Sequence, residues 1–196
     1  MPPAVRTVLE PAPGCRSAEV ALLLAALDDQ SRRLIGHTRD LAPAELAWQP
    51  APGMNTIGML LAHIAVAETH LGQIGLLGEE RGHVHDVLGI GVEAEGMPLP
   101  RGGGPSPALS GREHGLFADL LERARAHTRA AATGLDDADL EREVTRTRPD
   151  GTKRVSNVRW ILYHLLEHEA GHRAQLGLLR HLMARTRPSS PGPPNG

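Results

Sequence analysis

The residues best suited to chemistry lie in one stretch, Asn157 to Met183, whose helical pattern NVRWILYHLLEHEAGHRAQLGLLRHLM carries His164, His168 and His172 at four-residue intervals. On an α-helix each such step advances about 40° beyond a full turn, so the three imidazoles fall within roughly 80° on one side. Trp160 begins the same row. His168 and His172 sit one turn apart and both project toward the helix N-terminus, so two rings can converge on one ion. The pair alone is a weak motif: with 11 histidines in 196 residues, an HxxxH arises about 0.6 times by chance. Surface or core histidines would give the same spacing, and a metal site needs a third ligand from another element. His181, nine residues beyond His172, points to the opposite side of the helix.

A chain of this length can bury one sizeable core, and a second domain is not expected. Apolar content is carried by Leu, Ala, Val and Ile, with Phe117, Tyr163, Trp48 and Trp160 the only aromatics, which favours helix-on-helix packing and an all-α class. The net charge is −2 and basic residues are interspersed with acidic ones. A nucleic-acid binder would show a basic stripe, and none is present. The single cysteine, Cys15, excludes an intramolecular disulfide and fits a reducing compartment. No apolar run reaches membrane-span length, and Met1 to Arg16 lacks the basic start and apolar core of a signal peptide, so the expected location is cytoplasmic.

Residues 1–16, with four prolines, read as an extended leader. Ser17 caps a first helix, SAEVALLLAALDDQSRRLIGHT, with His37 near its C-terminus, where a cation suits the dipole. Pro43 and Glu45 open a short helical turn, and Trp48 packs over the end of the bundle. Asn55 caps a second long helix, NTIGMLLAHIAVAETHLGQIGLL, whose core stripe includes Ile57, Leu60, Leu61 and Ile64. His63 lies within that apolar sector, where an imidazole needs a partner. A hydrogen-bonded core histidine and a ligand facing His168 and His172 both satisfy this pattern. His70, about 20° away, is the alternative on the same helix.

Between Glu79 and Gly111 eight glycines and four prolines accumulate, and a loop of this length reads as the roof of a site. Its His83 and His85 form an HxH pair that could ligate if extended, though such residues more often simply titrate in solvent. Ser110 begins a third helix ended by Gly134, with His114 and His127 on its surface. TRTRPDGTKRVS reads as a small hairpin around a Pro-Asp-Gly turn, after which Ser156 caps the histidine helix. The bundle is expected over residues 17–185, and residues 186–196 read as a disordered tail. Four long helices, the second and last bearing histidines, describe a bundle with a metal site between helices.

NTIGMLLAHIAVAETH and WILYHLLEHEAGHRAQLGLLR resemble the two signature segments of the DinB-like superfamily, which includes YfiT-like metal hydrolases and thiol-dependent S-transferases and isomerases. The resemblance implies an up-up-down-down four-helix bundle, often dimeric. It also implies a divalent ion, nickel or zinc, held by His63, His168 and His172, with a low-molecular-weight thiol as cosubstrate and a small electrophilic molecule as substrate. The family's His-His-Arg-Gly-Gln string appears here as Gly171-His172-Arg173-Ala174-Gln175, a departure that weakens close functional transfer. His164 matches no ligand position and is expected beside the site, contacting a ligand or substrate, or merely packed. Glu167 and Glu169 flank the ligands as candidate acceptors or bases, and Arg173 could hold an anion; solvated helix charges read the same way. A metal-dependent transferase or hydrolase and a non-catalytic metal-binding stress-response module are the two functional expectations.

Overall fold

Three of the four long helices begin where a side chain takes up an orphaned backbone N–H. Ser17 Oγ accepts from Val20 at 3.3 Å and starts α1 (Ala18–Thr38). Pro43 at the first position and Glu45, which accepts from the Ala42 N–H at 2.8 Å, make the one-turn α2 (Pro43–Leu46). The second long helix, α3 (Ile57–Leu71), is capped by Thr56 rather than Asn55: Thr56 Oγ1 accepts from Met59 at 3.1 Å. It continues into a π-helical turn over Gly72–Leu76. The computed structural model describes residues 7–95, 97, 99, 101–147 and 150–186; the expected tail from 187 onward and the first six residues of the expected leader lie outside them.

The described residues of the Gly/Pro-rich stretch are more ordered than its composition suggests. They form two short helices, α4 (Val84–Leu88) and α5 (Val92–Glu95), and Val84, Leu88 and Leu109 are buried against the bundle. Gly89 at φ 71° supplies the left-handed residue that ends α4. The third long helix, α6 (His114–Ala132), starts four residues later than Ser110, after Glu113 and without a side-chain cap. His114 and His127 are half-buried, not surface residues: His114 Nε2 meets Thr38 Oγ1 at 3.0 Å, and His127 Nε2 is enclosed without a partner among the described residues.

β1 (Glu143–Thr147) and β2 (Lys153–Asn157) pair antiparallel as the expected hairpin. Arg142 anchors it by donating to the Gly75 and Leu76 carbonyls of the π turn, at 3.2 and 2.7 Å. Asn157, not Ser156, caps α7 (Val158–Thr186), its Oδ1 accepting from the Trp160 N–H at 2.9 Å. Both cap corrections are one-residue shifts toward the helix, made by the side chain whose oxygen reaches the third N–H.

α3 packs on α6 and α7, and α1 on α7 and α6, so α1 and α3 lie diagonally across the bundle. Gly58 permits a close approach of α3 to α6: a Cβ there would stand 2.8 Å from Phe117 Cζ. The core is divided. One apolar cluster gathers Leu34, Met59, Phe117 and Leu176; the other gathers Leu24, Leu71, Ile161 and Leu165. Between them, in each helix, sits a polar layer. Arg125 of α6 forks onto Glu68 of α3 at 2.7 and 3.0 Å and reaches Glu169 of α7 at 3.0 Å, and Ser31 of α1 donates to Glu169 at 2.8 Å. Asp28 of α1 takes Arg125 at 3.5 Å and also pairs with Arg129. This layer fixes the rotation of α7, and with it the direction of the histidine row.

Candidate metal centre

With Glu169 locked into the polar layer, His168 and His172 turn toward α3, where His63 meets them. His168 Nε2 lies 3.1 Å from His63 Nε2 and 3.0 Å from His172 Nε2. For a metal–nitrogen bond of about 2.0–2.1 Å, neighbouring nitrogens of a tetrahedral site stand roughly 3.3 Å apart, so the spacing suits three ligands of one ion. The three imidazoles can hold a metal ion.

The outer nitrogens decide which atoms face inward. His63 Nδ1 lies 2.9 Å from Glu95 Oε2, and His172 Nδ1 lies 2.9 Å from Gln175 Oε1. A carboxylate and an amide oxygen only accept, so both Nδ1 atoms carry the hydrogen. In the neutral rings Nε2 is then the lone-pair nitrogen, and both lone pairs point at His168 Nε2. One N–H on His168 could satisfy at most one of them. A cation at the centre satisfies all three, which is the chemical fit of this donor set to a metal. Burial, then the charges of His172, His63 and His164, pushes His168 down to about 3, and burial lowers His172 as well, so His168 and His172 are neutral donors at neutral pH.

Glu95 is the residue that sequence reasoning missed. It ends α5, 32 positions from His63, and is buried at 8% exposure. Nothing local marks it; only the folding of the glycine-rich stretch over α3 brings it there. A carboxylate holding a ligand imidazole by its second nitrogen fixes ring orientation and raises donor strength.

The remaining candidates separate. His164 stacks on Trp160 with centroids 4.6 Å apart and lies 3.3 Å from Glu167 Oε2 by its Nδ1, beside the cluster rather than in it. Glu169 faces the polar layer, not the histidines, and burial raises its pKa against the pull of Arg125. Arg173 donates to Gln30 Oε1 at 3.0 Å and ties α7 to α1. His70 meets Arg146 at 3.3 Å, and His83 and His85 are exposed at the start of α4, outside the cluster; the stretch expected as a roof does not line the cavity beside the histidines, which the hairpin covers instead.

A cavity of about 200 Å³ reaches the cluster through His168 and His164, under the hairpin. Among the described residues no helix is long and apolar enough to cross a membrane.

A helical bundle whose central helices aim three imidazoles at one point, with a cavity alongside, defines the class as a bundle built around a candidate metal site. The model of the DinB superfamily matches residues 26–176, and the chain belongs to that superfamily. The crystal structure of a conserved protein from Enterococcus faecalis has the same fold, with a TM-score of 0.63 at 17% identity, covering 84% of this chain and 96% of that one. No curated protein matches the chain.

Proposed function

We propose that His63, His168 and His172 hold one divalent ion, nickel or zinc, and that the protein is a metal-dependent S-transferase or hydrolase acting on a small electrophilic substrate. The observation that carries this reading is the convergence of three Nε2 atoms, at 3.0 and 3.1 Å, beside a cavity that reaches His168. Such an ion supplies Lewis-acid chemistry, lowering the pKa of a water or of a small thiol enough to make it a nucleophile near neutral pH. Glu95 and Gln175 hold the outer nitrogens of His63 and His172 and keep their lone pairs inward. Trp160 and His164 present a stacked wall for the substrate, and Val144, Arg146, Arg154 and Ser156 of the hairpin line the cavity from above. The reading takes the protein as a cytoplasmic homodimer, from its single cysteine and from the family resemblance.

The test uses tag-free protein loaded with nickel or zinc. Consumption of small thiols with 1-chloro-2,4-dinitrobenzene, or hydrolysis of p-nitrophenyl acetate, is expected at least about tenfold above the chelator-treated protein. Equal rates at full and zero occupancy would overturn the enzyme reading and leave the ion as a tie between α3 and α7.

Glu95→Ala is expected to weaken metal affinity by about 10–100-fold, measured by competition with a chromophoric chelator. Glu95→Gln, whose amide oxygen still accepts, should lose much less. An Ala variant that binds as tightly as wild type would show that His63 needs no such support.

A further inference from the structure

The cavity beside His168 is lined on its outer side by one face of the hairpin. In an antiparallel pair, directly opposed residues share a face, and alternate residues along each strand do too. The register pairs Val144 with Ser156 and Arg146 with Arg154, and all four line this cavity. Two guanidiniums are thereby opposed across the ribbon, a placement that costs stability unless something negative lies between them.

Among the described residues nothing negative does. No carboxylate lines this cavity, and neither arginine forms an ion pair among the described residues. Arg146 is instead steered by a neutral partner: its NH2 group donates to His70 Nε2 at 3.3 Å, and burial followed by Arg146's charge lowers the His70 pKa, keeping that ring an acceptor. Arg154 lies over the Trp160 ring, 4.4 Å from its centroid. Both guanidiniums are therefore oriented without being neutralised. Desolvation, and after it the Arg154 charge, holds Arg146 below its ordinary value. The acids of this region, Glu79, Glu80 and Glu143, line the neighbouring cleft of about 680 Å³ instead.

We propose that this cavity selects a small molecule bearing a carboxylate or phosphate, bound jointly by Arg146 and Arg154, with its flat or apolar body against Leu71, Ile74 and Ile161. Guanidinium forks match both anions bidentately. At about 200 Å³ the space suits a ring with one charged group, and a longer tail can pass into the larger cleft, which shares His70, Ile74, Val144 and Arg146 with it. The proposal names the substrate class of the histidine site and rests on the functional reading above.

Calorimetric titration of chelator-treated protein separates the two, because anion binding to the arginines needs no ion at the histidines. Benzoate and phenyl phosphate are titrated against the neutral benzamide and the cationic benzylammonium. Both anions, or one of them, are expected to bind at least about tenfold tighter than benzamide and to weaken with added salt, and the tighter one identifies the anion type. Arg146→Gln/Arg154→Gln should lose that preference at least about tenfold, with Arg146→Lys/Arg154→Lys falling between, since lysine keeps charge but loses the fork. Far-UV circular dichroism checks the fold, and the lysine pair decides if the glutamine pair unfolds. Equal affinity for benzoate and benzamide, no saturable anion binding, or an unchanged preference in the arginine variants would overturn the proposal. Anion binding without metal-dependent turnover would uphold it while sinking the enzyme reading.

Discussion

Replacing His168 and His172 together by alanine is expected to abolish metal binding and leave the bundle folded. Elemental analysis of tag-free wild type should find about one nickel or zinc per chain, and the double variant almost none, because a single remaining imidazole cannot hold a divalent ion against solvent. The fold should survive, since neither histidine belongs to the apolar clusters and both are only half-buried. In the metal-free state their removal also relieves the convergence of His63, His168 and His172 lone pairs described above. The melting temperature of the variant should therefore stay close to that of chelated wild type, while loaded wild type melts higher by mass action. Wild type that takes up no metal even after reconstitution would end the metal reading.

The largest effect on stability is expected at Arg125. It is 7% exposed and binds Glu68 and Glu169, which are 4% and 1% exposed, so one cation holds two buried carboxylates. Burial works against the charged guanidinium, but the Glu68 and Glu169 carboxylates more than offset this and hold its pKa above the ordinary value. Arg125→Met leaves both carboxylates uncompensated, at a cost of about 3–5 kcal/mol. In a chain of this size that lowers the melting temperature by roughly 6–20 °C. Adding Glu68→Gln and Glu169→Gln should restore most of the loss, because the strain lies in unpaired charge rather than in a cavity. A triple variant no more stable than Arg125→Met would show that the guanidinium acts through packing instead. Glu169 directly follows His168, so the single variant should also loosen the histidine row, and metal affinity measured beside stability would reveal it.

What was legible in the sequence is what depends on near neighbours along the chain. Apolar residues at helical spacing marked the four long helices, Ser17 its cap, and the Pro-Asp-Gly turn its hairpin, because each is decided within a few residues. The common direction of His164, His168 and His172 is likewise a property of one helix. What the tertiary structure decided depends on contacts between elements. His63 and His70 lie on one face of α3, about two turns apart, yet one meets the α7 histidines and the other meets Arg146, since the helix crossing and the hairpin set which position faces which neighbour. Glu95 became the partner of His63 because Val84, Leu88 and Leu109 bury themselves and pull a glycine-rich stretch over the bundle, a gain in apolar burial that composition does not display. Glu169 looked equally available to the histidines or to solvent, and it went to Arg125 because a buried guanidinium has to be paired. Helical periodicity is local and can be read from spacing; the pairing of buried charges and the closing of a loop are non-local, and only the packed chain decides them.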